Sequence, residues 1–268
     1  MSVKSLMPRK FSWAQDNLSN FYFRETAGSS LNYIGFNHQH SFLKEKKVRE
    51  ALDLAIPKKE IVEKKLKGTA TLSDFFFSPS FASIGEENPT HEYDPARARE
   101  LLKDIPLKKI TLKILSSTIN SELSKFLVYF WRKNLQLDVV IETRESGQFY
   151  RDFKRGDYDL ILGSWVGFTG VEMLYSTFHS SQFSPKGLNR GYFKEDKLDL
   201  WLQQLGEERL LNEKEYQIKK EELKKEHPYL FLFHPKVIWQ LKKCLKIKSL
   251  YPTGSFLAFL TLENNCVP

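Results

Sequence analysis

The stretch Lys109–Leu162, KITLKILSSTINSELSKFLVYFWRKNLQLDVVIETRESGQFYRDFKRGDYDLIL, carries the most regular hydrophobic pattern in the chain. Ile110, Leu112 and Ile114 alternate with polar residues, the period of a strand with one buried face. Leu123, Phe126, Leu127, Phe130 and Trp131 then recur at the spacing of one helical face between Ser121 and Leu135. Leu137–Ile141 reads as a second strand, Phe149–Lys154 as a short helix and Tyr158–Leu162 as a third strand. Such β-α-β-α-β alternation implies parallel strands joined by right-handed crossovers, so the fold class is α/β. In open parallel sheets ligands approach the carboxyl ends of the strands. Those ends are Ser116-Ser117-Thr118, Thr143-Arg144-Glu145-Ser146 and the segment from Gly163 to Gly170.

The last of these ends is the most distinctive. The third strand breaks at Gly163-Ser164 and presents Trp165, followed by Gly167, Phe168, Thr169 and Gly170. A buried strand that delivers an aromatic into a glycine-bearing loop is a common way to build a binding wall. Trp165 and Phe168 are the candidates for that wall, with Thr169 and groups around Ser164 and Gly167 as hydrogen-bonding partners. Glu172 is the one carboxylate between Trp165 and Phe178. The plainer alternative is a pair of core aromatics beside a turn.

Upstream, Phe21–Arg24 and Leu31–Asn37 are strand-like and flank a Gly28-Ser29-Ser30 turn, which predicts a hairpin. From Lys44 the period becomes helical, with Val48, Ala51, Leu52 and Ala55 on one face and Arg49, Glu50 and Asp53 on the other. Pro57 suits the first turn of a second helix running through Ile61, Val62 and Leu66 to Gly68. Asp94-Pro95 supplies an N-cap and first helical position for a helix carrying Ala98, Leu101 and Leu102. Downstream, charged helices are expected over about Asp196–Leu205 and Lys214–Glu226, then strands over Tyr229–Phe233 and Val237–Leu241.

The 268 residues, 41% hydrophobic and 14% aromatic, describe a folded protein able to bury a substantial core. The formal charge is +8. Lys58, Lys59, Lys64, Lys65, Lys219, Lys220, Lys224 and Lys225 are spread along helical faces and mixed with Glu, the pattern of solvated surfaces. Basic and aromatic residues do not interleave as in a nucleic-acid module, so no nucleic-acid partner is expected. No apolar run reaches the length of a membrane span, and Met1–Trp13 lacks the uninterrupted apolar core of a signal peptide. Cys244 and Cys266 have neither metal-ligand nor redox-motif spacing, and they can pair or remain free.

Catalytic chemistry finds no constellation. Ser164 lacks the glycine placement of a nucleophile elbow, and His179 and His234 have no local acid. No glycine-rich phosphate loop follows a strand. His38 and His40 lack a third metal ligand. The expectation is a non-enzymatic protein without cofactor or metal.

Several separated motifs agree with one family. Leu31–Asn37, Lys47–Leu52 with Ala55–Val62, Tyr93–Leu102, Gly156–Leu160 with Gly163-Ser164-Trp165, Asn189–Asp199 and His227–Leu232 occur in the family's order. On these segments the chain resembles the C-terminal portion of bacterial extracellular solute-binding proteins of the oligopeptide/dipeptide/nickel class, the receptor components of ABC importers. The resemblance implies a periplasmic-binding-protein-like lobe with the β-α-β-α-β parallel core, plus segments returning to a largely missing first lobe. It divides the chain into a remnant of the first lobe and hinge strands (1–42), a second-lobe α/β domain (43–228) and C-terminal strands returning to the first lobe (229–268). It implies a peptide or small-molecule ligand held in an interlobe cleft, ABC permease partners and a periplasmic or cell-envelope location. Members are considerably longer, so a separately encoded N-terminal half is an implied partner, and a half-protein that binds nothing alone is the alternative. Two departures stand out: Pro57 occupies a usual Asp position, and Phe168 falls where peptide-binding members carry an Asp for the ligand's amine.

Overall fold

The computed structural model describes residues 21–81, 84–85, 91–107, 110–166, 170–208 and 212–266. In chain order its strands are β1 (Phe21–Thr26), β2 (Leu31–Phe36), β3 (Ala70–Leu72), β4 (Thr111–Ser117), β5 (Asp138–Arg144), β6 (Leu160–Trp165), β7 (Tyr229–Pro235), β8 (Val237–Lys242), β9 (Leu245–Ile247) and β10 (Leu262–Asn264). Six of them form one sheet in the order β3-β7-β2-β6-β4-β5. Within it β4 pairs in parallel with both β5 and β6, as the patterned stretch predicts. Helices Ser121–Leu135 and Ser146–Arg155 are the two crossovers. The remaining strands run antiparallel to their neighbours, making the sheet mixed.

The sheet is covered on both faces. On one, Ile34, Phe36, Ile114, Val139, Leu160, Leu162, Leu230 and Leu232 pack with Leu52 and Trp131 from the helices Lys46–Leu54 and Ser121–Leu135. The Trp131 indole donates to the Leu52 carbonyl at 2.9 Å, and Asn134 Nδ2 donates to the Ala55 carbonyl at 2.8 Å. On the other face, Leu31, Tyr33, Trp165, Tyr229 and Phe231 meet Leu174, Leu202 and Leu223 from helices Glu172–Phe178, Asp196–Glu208 and Glu213–Lys225. Next to them Leu115, Phe153, Tyr158 and Ile161 form a smaller cluster under helix Ser146–Arg155.

Three expectations are corrected. The hairpin between the first two strands does not form: β1 pairs with β8, Phe21 opposite Lys242, while β2 lies between β6 and β7. Ile34 and Phe36 feed one core and Leu31 and Tyr33 the other, so β2 needs an interior position that the half-exposed β1 cannot provide. Arg49 is not on a solvated face but is 3% exposed. The helix after Pro57 is regular only over Lys58–Glu60 and widens into a π-turn over Ile61–Lys65, closed by Leu66 N–H to the Ile61 carbonyl at 2.9 Å. The widened turn buries Ile61 and Val62 together. The Asp94 cap is observed as expected, accepting from the amides of Ala96 and Arg97 at 3.0 and 2.9 Å.

The sheet also crosses the segment boundaries at 42/43 and 228/229, because β2 and β7 are interior strands of it. Outside it lie two small antiparallel pairs, β1 with β8 and β9 with β10. Trp239, Leu241, Ile247 and Ala258 pack between them, and a disulfide joins Cys244 to Cys266 across 22 residues of chain. Closing a loop of that length stabilises the fold by about 3 kcal/mol through the unfolded chain's lost entropy.

Candidate functional site

A cavity of about 330 Å³ opens at the carboxyl ends of β4, β5 and β6. Asn32 lines it from the start of β2, Ser117 from the end of β4, and Gly163, Ser164 and Val166 from the end of β6. Ser146, Phe149, Tyr150 and Phe153 face it along one crossover helix, and Asn120 stands at the start of the other. The parallel topology dictates this arrangement: each crossover helix begins just past a strand's carboxyl end, so both helices point their amino ends here. Ile119, Tyr150 and Val166, all strongly solvent-exposed, give the cavity an apolar rim.

Ile161 and Leu162 of β6 also line it, and Arg190 is the one charged side chain there among the described residues. Its guanidinium lies 5.0 Å from the Phe153 ring, 5.7 Å from Trp165 and 5.8 Å from Tyr33. Nη1 donates to the Tyr33 hydroxyl and to the Ser164 carbonyl at 3.3 Å. Nε is buried with no hydrogen-bond partner, and Nη2 has none, among the described residues. No carboxylate pairs with it among the described residues. Burial raises the Tyr33 phenol above its ordinary value, against the opposing pull of Arg190, so this partner is neutral at physiological pH and leaves the charge of Arg190 uncompensated. Burial likewise raises Tyr229, whose hydroxyl receives the backbone amides of Arg190 and Gly191 at 2.9 and 3.2 Å.

The loop that carries Arg190 is held by its neighbour. Asn189 is fully buried; Nδ2 donates to the carbonyls of Phe178, His179 and Phe193, and Oδ1 accepts from the Phe193 amide. Gly163 is needed against Tyr33, because a Cβ there would clash with the Tyr33 hydroxyl and ring.

The site residues expected from the sequence separate. Ser164 lines the cavity, its hydroxyl donating to Asn32 Oδ1 at 3.0 Å. Trp165 is 2% exposed, stacked on Tyr33 at 3.6 Å and set edge-on to Tyr229 at 4.9 Å, so its ring supports Arg190 from the core side. Glu172 is exposed at the start of its short helix, away from the cavity lining. Gly167, Phe168 and Thr169 lie outside the described residues. Arg190 belongs to the family-like segment Asn189–Asp199, yet local pattern assigns it no role; it follows Ser164 by 26 residues, and only the fold brings them together.

A second cavity, of about 350 Å³, is lined by Glu50, Asp53, Lys58, Asp74, Arg97 and Lys224 among others. Its charges pair with one another: Lys58 with Asp53 at 2.8 Å, Lys224 with Asp74 at 3.0 Å, Arg97 with Glu92 at 3.0 Å. Such internal pairing sets it apart from the Arg190 cavity.

Comparisons with known proteins agree with this architecture. The sequence profile of "Bacterial extracellular solute-binding proteins, family 5 Middle" matches residues 5–185. Di/tripeptide-binding protein 1 of Pseudomonas aeruginosa is 30% identical over 159 residues, which are 56% of this chain and 29% of that protein. The oligopeptide-binding protein AppA of Bacillus subtilis is 26% identical over 227 residues, 77% of this chain and 41% of that one. Among solved structures, the periplasmic binding protein DppA of Helicobacter pylori, in complex with peptide STSA, superposes with a TM-score of 0.82 at 20% identity, over 99% of this chain and 53% of its own. NikZ of Campylobacter jejuni, in complex with Ni(L-His), gives 0.77 at 22%, over 98% and 57%. The chain thus spans less than half of these curated relatives and little more than half of the solved structures. It belongs to the family 5 bacterial extracellular solute-binding proteins.

Proposed function

We propose that this chain is the ligand-gripping part of a peptide-class solute-binding protein that serves an ABC importer. The observation that carries the reading is the cavity at the carboxyl ends of β4, β5 and β6, with Asn32, Ser117, Ser146 and Ser164 set among apolar walls and an exposed apolar rim of Ile119, Tyr150 and Val166. Exposed large apolar residues around a concave site with a few polar groups are what a ligand or an apposed lobe covers. Ser164 and Asn32 are the polar contacts in this reading, and Trp165 acts from behind as the support of Arg190. Among the described residues the site offers binding groups and no paired nucleophile and base, which favours capture over catalysis.

The small unit built from β1, β8, β9 and β10 is, on this reading, the part that belongs with a first lobe, and residues 31–235 with the second. The disulfide between Cys244 and Cys266 favours an oxidising compartment such as the cell envelope.

Isothermal titration of the folded chain with a peptide library tests the proposal: saturable heat supports it, and no heat above dilution overturns it for this chain alone. A second reading is a half-site completed by a further lobe, since the chain covers 53–57% of the solved structures. Copurification with such a lobe, together with peptide binding that appears only in the pair, separates the two. Pull-down with permease subunits tests the transporter assignment.

A further inference from the structure

Asp53 lies on the helix Lys46–Leu54, on the side that the amphipathic pattern assigns to solvent, yet its Oδ1 is buried. Lys58, 2% exposed, stands 2.8 Å from that oxygen and neutralises it. Two imidazoles from distant parts of the chain approach the same carboxylate. His91 Nδ1 lies 3.8 Å from Oδ1, and His227 Nδ1 lies 3.9 Å from Oδ2. His91 also fastens its segment to the end of the helix. Its Nε2 donates to the Ile56 carbonyl at 2.7 Å, and the Asp94 amide donates to the Leu54 carbonyl at 3.0 Å. Nε2 therefore carries the hydrogen of the neutral ring, and Nδ1 faces Asp53 without one. From the other side, the His227 carbonyl accepts from Arg49 Nε at 2.9 Å.

We infer that the Asp53 cluster is an acid-sensitive latch: it holds the segment leading into helix Pro95–Leu101 against helix Lys46–Leu54 at neutral pH, and releases it when His91 and His227 gain protons. The surrounding charges are already engaged. Arg97 pairs with Glu50 and Glu92, and Lys224 with Asp74 and Glu221, while Lys225 adds an exposed cation. Arg49 stands beside His227, and Glu226 pairs with Lys46. Asp53 is thus the carboxylate that both rings face, and protonating both would set three cations on it. Burial works against a charged Asp53, but Lys58 and the two histidines outweigh it and hold the carboxyl below its ordinary value. Burial, with Lys58 beside it, lowers His91 to about 4 against the pull of Asp53, and burial lowers His227 in the same direction. Since both folded values lie below the ordinary histidine value, closure is fully stable above about pH 6.5 and weakens as pH falls through it.

Native-state hydrogen exchange of the full chain at pH 7.0 and 5.5, corrected for the intrinsic exchange rate, tests the latch. The amides of Asp94 and of helix Pro95–Leu101 report its opening, and those of β4 report unfolding of the sheet. The opening constant at Asp94 should rise about tenfold for His91 alone between the two pH values, and further with His227. Over the same range β4 should remain more strongly protected than Asp94. His91→Gln keeps a donor for the Ile56 carbonyl, so closure at pH 7.0 should stay within about threefold while most of the pH dependence disappears. His227→Gln should remove the remainder. An opening constant that does not change with pH in the unaltered chain overturns the latch. So does exchange of Asp94 in step with β4 at both pH values, since the segment then opens only with the whole fold. A pH dependence that survives in both variants places the acid response elsewhere and overturns it too. The first two outcomes are read on the unaltered chain and do not depend on how a variant folds.

Discussion

Two arginines of this molecule, one buried and one partly exposed, are treated in opposite ways. Arg49, on the helix Lys46–Leu54, spends every nitrogen on backbone: Nε on His227, Nη1 on Leu43 and Lys44, and Nη2 on Glu226, at 2.6 to 3.0 Å. It ties the start of its own helix to the turn before β7 and leaves nothing free for a ligand. Arg190 has a neutral hydroxyl, one longer carbonyl contact and an edge unfilled by the described residues. Both belong to segments that resemble the family, yet one fork is filled by protein acceptors and the other is only partly filled among the described residues. The number of acceptors already present, together with burial, distinguishes the two where motif membership does not.

Acid should strain this contrast most. Burial, with Arg49 nearby, lowers His38 to about 3, and burial lowers His91 and His234 to about 4. These folded values lie below the ordinary histidine value, so stability is full above about pH 6.5 and is lost as pH falls through that value towards 4. Each histidine contributes about 1.4 kcal/mol per pH unit within the window. Among the described residues, no histidine or carboxylate lines the Arg190 cavity. Urea unfolding followed from pH 7.5 to 4.5 should therefore show a steep loss, while ligand affinity measured on the fraction still folded changes little. A flat stability profile would count against neutral buried histidines.

Arg49→Ala should cost about 4 kcal/mol, because it orphans buried carbonyls and removes charge-assisted hydrogen bonds. The urea midpoint reads that loss directly. Gly163→Ala comes next, at about 1–3 kcal/mol, since the added methyl must displace the Tyr33 hydroxyl. Its signature is double: lower stability, and weaker ligand binding as Arg190 loses its seat. The smallest stability effect is expected for Arg190→Gln, within about 1.5 kcal/mol, because the charge removed lacks compensation in the folded chain. A loss there as large as that of Arg49→Ala would make Arg190 a second bolt and erase the distinction.

The parts of the fold governed by local pattern were legible in the sequence. Ile110, Leu112 and Ile114, the apolar stripe ending at Trp131, and the Asp94-Pro95 cap each state their structure within a few residues. A cavity does lie at the carboxyl ends of the strands, where parallel topology leads one to look. What escaped depends on distant chain. Phe21–Thr26 reads as a hairpin partner of its neighbour, but its mate is Val237–Lys242. Arg49 reads as solvated until the His227 and Glu226 carbonyls arrive from the far end of the chain. The packing of Trp165 on Tyr33 and Tyr229, and of Arg190 beside Ser164 and Tyr33, likewise joins residues far apart in sequence.

The position of β7 has a consequence for how the chain comes to be folded. Residues 229–235 lie between β3 and β2, in the interior of the sheet, although they are synthesised some two hundred residues after β2. Until that strand leaves the ribosome, β2 has one open edge, β3 has no mate, and Tyr33 and Trp165 lack the Tyr229 ring that packs against them. The parallel unit β6-β4-β5 can assemble early from contacts close in sequence, whereas β3 and β2 must wait for a late arrival. Long-range closure of this kind is slow and leaves strand edges exposed in the interim. Until β7 slots in, the flank of β2 that it covers is an open strand edge, the kind of edge along which chains associate.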